Sequence, residues 1–257
     1  MPMHEKHRNH FPLVIVKTGE APEAVRRRHR DFEHWFIAAL GAAPHAVTTL
    51  RVDQGAPLPD PNRLGADTVI LITGSPAMVS HRHDWAERTA GWLARTFDAG
   101  HRMLGVCFGH QLLAHALGGH VGPNPAGRCI GRTRIQVDAG DDPLLGPFSG
   151  PQTALVSHCE VVLEAPRGAR VLASAAHDPH HALHFGGRCW GVQFHPEFDT
   201  GIMRAYIEAR REVLIAEGLD PDRLLETVGG PTIGPALMKR FAEIAVSEKP
   251  EAMRCAS

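Results

Sequence analysis

The chain has 257 residues, of which 43% are hydrophobic, so it can bury a full core and is expected to form one α/β domain. Its formal net charge of −1 gives no electrostatic footprint for nucleic acid. No apolar stretch approaches the length of a membrane-spanning helix, and the first apolar run, residues 11–16, is too short for a signal peptide core, so we expect a cytoplasmic protein without nucleic-acid or membrane partners.

The cysteines and histidines predict neither disulfides nor a metal site. The five cysteines are odd in number and contain no Cys-X-X-Cys pair. Among the 18 histidines, four lie close together in what reads as an Asp-Pro turn between strands, with no set of acidic or cysteine ligands beside them: His177, His180, His181 and His184. We interpret this segment as a solvated loop and expect no metal and no cofactor.

The first half of the chain alternates strands and helices. Short apolar runs predict strands over residues 13–16, 46–52, 68–73 and 103–106. Apolar residues at helical spacing predict helices over residues 22–40, 84–99 and 109–117. Alternation with short connections predicts a doubly wound, mostly parallel sheet with flanking helices, in which ligands bind at the carboxyl ends of the strands.

The second half of the chain is predicted to contain several consecutive strands, followed by helices. Strands are predicted over residues 130–137, 153–163, 170–175, 182–185 and 189–194, which suggests a mixed or antiparallel continuation of the sheet. Helices are predicted over residues 201–216 and 235–246. Between them, Asp220-Pro221 is typical of an N-cap followed by a first-turn proline. We therefore divide the chain into a leader (residues 1–10), a single domain (residues 11–246) with a helical extension from about residue 201, and a tail (residues 247–257).

Cys107 lies in a Gly-X-Cys-X-Gly turn between a predicted strand and a predicted helix. Glycine on both sides permits a sharp turn that places the sulfur at the helix N-terminus. The amide groups and helix dipole there favour the thiolate, which is the nucleophilic form. A buried structural cysteine at the end of a strand is the alternative interpretation.

A second motif, Gln-Phe-His-Pro-Glu, ends the strand predicted over residues 189–194. Its histidine, His195, can take the thiol proton, and Glu197 can orient the imidazole and stabilise its charged form. A lone histidine is more often a core or surface residue. Its combination with the Gly-Cys-Gly turn favours a nucleophile, a base and an orienting acid.

These two motifs resemble those of the class I (triad) glutamine amidotransferases. Weaker matches are the Gly74-Ser75-Pro76 turn, where the family has a Gly-rich oxyanion turn, and Val156-Ser157-His158, where the family has a strand lining the glutamine pocket. The resemblance covers roughly residues 13 to 200. Within the family the chain looks most like stand-alone members related to the amidotransferase domain of GMP synthetase, and the plant gamma-glutamyl peptidases are similar too.

The resemblance implies catalytic roles for Cys107, His195 and Glu197. It also implies two backbone donors for the oxyanion, one on Phe108 and the other in the glycine-rich turn, at Gly74 or Ser75. Gly-Ser-Pro stands here where many members have two glycines. The resemblance further implies five substrate-binding positions: Gln111, Ser157, His158, Cys159 and Glu160.

The reaction implied by the resemblance is hydrolysis of the side-chain amide of glutamine through a cysteine thioester. The products are glutamate and ammonia, and the ammonia would pass to a separate synthetase, because the segment after Glu197 is short and has no Gly-rich nucleotide loop. Cleavage of other gamma-glutamyl conjugates uses the same three groups and stays open as an alternative. A non-catalytic regulatory binding module is the third hypothesis.

Overall fold

The computed structural model describes residue 9 and residues 11–247. The predicted leader and tail lie outside these residues, apart from Asn9 and Ser247. Eleven strands lie in the described part of the chain: β1 (Leu13–Lys17), β2 (Val47–Arg51), β3 (Val69–Ile72), β4 (Arg102–Val106), β5 (His120–Pro123), β6 (Cys129–Val137), β7 (Gly150–His158), β8 (Glu160–Glu164), β9 (Arg170–Ala175), β10 (Asp178–Gly186) and β11 (Cys189–Val192). The same residues contain eight α-helices: α1 (Glu23–His29), α2 (Phe32–Leu40), α3 (Asp84–Asp98), α4 (Phe108–Ala116), α5 (Thr200–Ala209), α6 (Arg211–Ala216), α7 (Pro221–Thr227) and α8 (Gly234–Ser247).

Nine of the strands form one sheet, in the order β2-β1-β3-β4-β11-β10-β9-β6-β7. The first five strands in this order pair in parallel, and the remaining pairs are antiparallel. Strands β5 and β8 form a separate antiparallel pair. The mixed α/β fold predicted from the sequence is confirmed, with a parallel half and an antiparallel half in one sheet.

Helices cover both faces of the parallel half, so β1, β3, β4 and β11 are buried along their whole length, whereas the edge strand β2 is partly exposed. Leu13 and Ile15 of β1 point into the core built with α2, α5 and α8, whereas Val14 and Val16 point into the core built with α3 and α4. This alternation follows from the two-residue period of a strand. Among the described residues, every helix is too short or too polar to cross a lipid bilayer.

Two predicted helices are each broken in two. The helix predicted over residues 22–40 stops at His29, because Arg30 adopts a positive φ of 68° and Asp31 begins α2 by accepting the backbone N–H of Phe32. The helix predicted over residues 201–216 is interrupted at Arg210, within a polar run that offers no fully buried side chain to hold it straight. Apolar spacing continues through both breaks, so periodicity does not reveal them.

The strand predicted over residues 153–163 is also two strands. It divides at Cys159 into β7, which belongs to the large sheet, and β8, which pairs with β5. Strand β5 was not predicted, because two of its four residues are glycine and proline.

The prediction of a solvated loop for the histidine-rich segment is wrong. Residues 178–186 form β10, and the His181 side chain is fully buried. Asp178 offsets part of the cost of burying His181, since its Oδ2 accepts a hydrogen bond from His181 Nδ1 at 2.9 Å. Pro179 is tolerated because it lies near the start of the strand.

Candidate active site

The turn at Cys107 is forced by close packing. Cys107 joins β4 to α4 with a φ of 53° and a ψ of −108°, a conformation that costs a non-glycine residue about 1–3 kcal/mol. A Cβ on Gly105 would lie 2.5 Å from the carbonyl oxygen of Gly109, and a Cβ on Gly109 would overlap the carbonyl of Ile72. The two glycines of the motif therefore let α4 lie directly against β4 and β3.

Three neighbouring parallel strands bring the predicted chemistry to one edge of the sheet. Strand β4 pairs with β3 on one side and with β11 on the other. Gly74 follows the carboxyl end of β3, Cys107 follows that of β4, and His195 follows that of β11. The Cys107 backbone N–H also bonds the carbonyl of Val192 at 2.8 Å, which links the two segments directly. These strand ends form the edge at which parallel sheets bind their ligands.

His195 is held tightly between an acid and two aromatic rings. Its Nδ1 lies 2.8 Å from Glu197 Oε1, and both side chains are almost fully buried. The imidazole stacks on the ring of Phe198, with ring centroids 4.1 Å apart. The ring of Phe32 is also nearly parallel to the imidazole, at a centroid distance of 6.4 Å. One tautomer and one ring orientation are thereby selected.

The charge state of His195 is set by its neighbours. Burial by itself would lower its pKa, but the charges and hydrogen bonds of Glu197 and Cys107 outweigh that effect and raise the pKa to about 10. At neutral pH this imidazole is therefore protonated beside the sulfur.

Two adjoining cavities meet at the sulfur. Five residues line both of them: Ser75, Pro76, Cys107, Ser157 and Arg210. The first cavity continues to Gln111, Cys159 and Glu160, and the second continues to His195, Phe32 and Tyr206. Cys107 thus lies at the junction of a pocket lined mainly by polar groups and a pocket with aromatic walls.

The five predicted substrate-binding positions all line the first cavity: Gln111, Ser157, His158, Cys159 and Glu160. Gln111 is fixed there, because its Nε2 donates to the carbonyl of Glu160 at 2.7 Å and to Gln193 Oε1 at 3.0 Å. The Ser157 carbonyl lies 3.7 Å from the Cys107 sulfur. The Glu160 carboxylate instead accepts a hydrogen bond from the backbone N–H of Val79 at 2.8 Å. It thereby holds the segment that follows Ala77 and Met78, which line the same cavity.

The Gly74-Ser75 turn is tied to the end of β1. Thr18 Oγ1 donates to the Gly74 carbonyl at 3.0 Å, and Ser75 Oγ donates to the Thr18 carbonyl at 2.7 Å. A Cβ on Gly74 would come within 3.0 Å of His195 Cε1, so the turn lies directly against the imidazole. The hydroxyl of Ser75 is occupied in this way, which leaves its backbone as the part available to a ligand.

Two arginines at the first cavity have no counterpart in the sequence analysis. Arg128 forms a bidentate ion pair with Glu217, at 2.6 and 2.9 Å. Arg210 differs, since no carboxylate among the described residues pairs with it and its guanidinium lies 5.1 Å from the centre of the Tyr206 ring. Its position follows from the break between α5 and α6, which apolar spacing does not signal.

Comparisons with known proteins bear on the family and the fold of the chain. Residues 28–211 match the family model "Glutamine amidotransferase class-I". The GMP synthase [glutamine-hydrolyzing] of Aeropyrum pernix is 35% identical over 221 residues, which are 85% of this chain and 36% of that protein, so this chain spans about a third of its length. Gamma-glutamyl peptidase 3 of Arabidopsis thaliana is 25% identical over 211 residues, which are 80% of this chain and 84% of that protein. The crystal structure of a glutamine amidotransferase from Thermotoga maritima has the same fold, with a TM-score of 0.74 at 19% identity over 93% of this chain and all of that chain.

Proposed function

The chain belongs to the class I glutamine amidotransferase family, and from this we propose that it hydrolyses the side-chain amide of glutamine with Cys107, His195 and Glu197 as its catalytic residues. The observation that carries the proposal is the junction of the two cavities at Cys107, with the buried His195–Glu197 pair beside it. Nucleophile, base and orienting acid are the parts that such catalysis requires.

The reaction proceeds in two halves. The Cys107 thiolate attacks the amide carbon, and the resulting tetrahedral oxyanion collapses as the C–N bond breaks and His195 gives its Nε2 proton to the departing nitrogen. Ammonia leaves, and a gamma-glutamyl thioester remains on Cys107. Neutral His195 then takes a proton from water, the hydroxide attacks the thioester, and glutamate departs with regeneration of the thiolate.

The oxyanion is stabilised by backbone groups that are already in place. Phe108 is the first residue of α4, so its N–H has no acceptor within the helix and lies at the positive end of the helix dipole. Within the part of the chain that the structure describes, the N–H groups of Gly74 and Ser75 also have no hydrogen-bond acceptor. Phe108 and the Gly74-Ser75 turn are therefore the two sources of donors that we assign.

Arg210 binds the α-carboxylate of the substrate in this scheme. It is a cation without a carboxylate partner among the described residues, at the junction of both cavities, and burial lowers its pKa without removing its charge. A charge-assisted hydrogen bond contributes about 1.5–3 kcal/mol. Ser157 and Gln111 complete this end of the pocket.

Substitution Arg210→Gln is expected to raise KM for glutamine by about 10- to 100-fold, with a smaller effect on kcat, because it removes a contact made equally in the ground state and the transition state. Steady-state kinetics of glutamate release measure both constants. Arg204→Gln is the matched control, since Arg204 lies on α5 outside both cavities and donates a hydrogen bond to the Leu225 carbonyl. An unchanged KM in the Arg210 variant would rule out the carboxylate role.

The fate of the ammonia is assigned to a separate acceptor enzyme. The match to GMP synthase covers about a third of that relative. By analogy with that glutamine-hydrolysing synthase, we propose that a separate acceptor enzyme uses the ammonia. The two-partner arrangement predicts weak glutamine turnover by this chain alone.

A second candidate function is hydrolysis of gamma-glutamyl peptides or amine conjugates. Two observations favour it: the match to a gamma-glutamyl peptidase covers 84% of that protein, and a second cavity extends from His195 along Phe32 and Tyr206. A group attached to the amide nitrogen would enter this cavity, beside the imidazole that protonates it.

The experiment that separates the two candidates is incubation of the purified protein with glutamine and a panel of gamma-glutamyl peptides and amines, with glutamate followed by mass spectrometry. Turnover of glutamine supports the glutaminase. Turnover of a conjugate with none of glutamine replaces it by the hydrolase. If no compound is turned over and an alkylating glutamine analogue fails to label Cys107, the protein is a binding module and both enzymatic proposals fail.

A further inference from the structure

A cluster of cysteine and histidine side chains lies in the antiparallel half of the sheet, and one of its members, His158, also lines the first cavity. Cys129 at the start of β6 pairs directly opposite His158 at the end of β7, and His177 lies in the turn between β9 and β10. The Cys129 sulfur and one ring nitrogen from each histidine all lie within 4.8 Å of one another. A fourth side chain, His181, packs beside them, with its ring centre 5.6 Å from that of His177.

The histidines are oriented as metal ligands are. His158 Nδ1 lies 3.0 Å from the carbonyl oxygen of Glu160, and His181 Nδ1 lies 2.9 Å from Asp178 Oδ2. Both partners can only accept, so Nδ1 carries the proton and Nε2 carries the lone pair. Hydrogen bonding of the second ring nitrogen to a carbonyl or a carboxylate is the usual arrangement around a metal-bound histidine.

The nitrogens that remain are buried and unused. Within the described residues, Nε2 of His158, His177 and His181 has no hydrogen-bond partner, although His158 is only 5% exposed and His181 is fully buried. A buried polar atom without a partner costs about 1–3 kcal/mol. His158 and His177 carry two of these atoms, and the donor atoms of these two histidines lie within 4.8 Å of each other and of the free Cys129 thiol, which indicates a ligand in common.

The charges of the cluster also suit a divalent cation. The Cys129 thiolate that ligation requires and the buried Asp178 carboxylate would together balance two positive charges.

We propose that Cys129, His158 and His177 form a zinc-binding site, with His181 and its Asp178 partner beside the fourth coordination position. Thiolate and imidazole are the donors that Zn²⁺ prefers, and tetrahedral Zn–S and Zn–N bonds place the ligand atoms about 3.3–3.6 Å apart. Side-chain movements of about 1 Å close the present 4.8 Å spread to that geometry.

The site would hold one wall of the substrate pocket in place. The Glu160 carbonyl accepts hydrogen bonds from both His158 Nδ1 and Gln111 Nε2. A metal that fixes His158 therefore fixes the backbone on which Gln111 rests. This role is structural, since the cluster includes neither Cys107 nor His195.

The test is a metal titration of the untagged full chain after removal of bound metal by a chelator. We expect one equivalent of Zn²⁺ to bind with a submicromolar Kd in competition with a chromophoric chelator, and Co²⁺ to give the near-ultraviolet absorption of a thiolate–metal bond. Cys129→Ser should weaken Zn²⁺ binding at least about 100-fold, because even outer partners of a ligand contribute 10- to 100-fold, and should abolish the Co²⁺ band. His177→Gln is a second variant with the same expected loss of binding. His177 lies in a half-buried turn outside the sheet, so this substitution should leave the strands intact.

Two controls locate the metal. Cys107→Ser removes the competing Cys107–His195–Glu197 group, and His4→Gln, His7→Gln and His10→Gln together remove the histidines of the N-terminal segment. Both proteins should bind Zn²⁺ as the wild type does. Binding of less than one equivalent, binding unaffected by both cluster variants, or loss of binding in either control would overturn the proposal. These outcomes are independent of glutamine turnover, so they do not depend on the proposed activity.

Discussion

Replacing Cys107 by alanine is expected to leave about a thousandth or less of the glutamine hydrolysis, because no other group can carry the acyl intermediate and triad members act as a unit. The fold should persist. Cys107 already adopts a positive φ, so alanine meets the same backbone strain, and the glycines that permit the turn are unchanged. Circular dichroism and thermal unfolding check the fold, and ammonia and glutamate release measure the loss.

A second cysteine serves as the matched control for that variant. Cys189 lies in β11, is fully buried, and has a thiol whose pKa burial raises. Cys189→Ala should lower stability by about 1 kcal/mol through the small cavity it leaves, with turnover close to that of the wild type. Retained ammonia release in Cys107→Ala, or equal losses in both variants, would show that the Cys107 sulfur is not the nucleophile.

The sequence predicted the parts of the site that depend on local pattern. Glycines on either side of Cys107 report a close approach of helix to strand, and the structure shows that contact at Gly105 and Gly109. The His-Pro-Glu segment likewise predicts an imidazole and a carboxylate within reach of each other, and they lie 2.8 Å apart. Both signals are contained in a few consecutive residues.

The remaining features depend on contacts between distant segments. The adjacency of β4 and β11 follows from strand order, which no local motif encodes. Arg210 enters the site through a helix break in a polar run, and the histidine-rich segment forms a strand in which Asp178 accepts a hydrogen bond from the buried His181. The periodicity of apolar residues predicts which face of a helix or strand is buried. It does not predict that two polar side chains will be buried together and hydrogen-bonded to each other.

Glu197→Gln is expected to lower kcat by about 10²- to 10⁴-fold with little change in KM. Glutamine keeps the size of the side chain and an oxygen that can accept from His195 Nδ1, so the main loss is the negative charge. That charge is the largest of the effects that oppose burial and raise the pKa of His195 to about 10. Without it the imidazolium is less stable, and the proton that must reach the departing nitrogen is present over a narrower pH range.

The sign of the pH effect follows from the same reasoning. In the wild type His195 stays protonated until the pH approaches about 10, so its deprotonation should make acylation decline on that alkaline side. In Glu197→Gln the pKa of His195 falls, and the alkaline decline of kcat/KM should move to lower pH. Asp199→Asn is the matched control: Asp199 caps α5 by accepting the Ile202 N–H at 2.7 Å, asparagine caps equally well, and the pH profile should be unchanged. If the alkaline limb of Glu197→Gln coincides with that of the wild type, Glu197 does not set the protonation of His195, and its place beside the imidazole is merely structural.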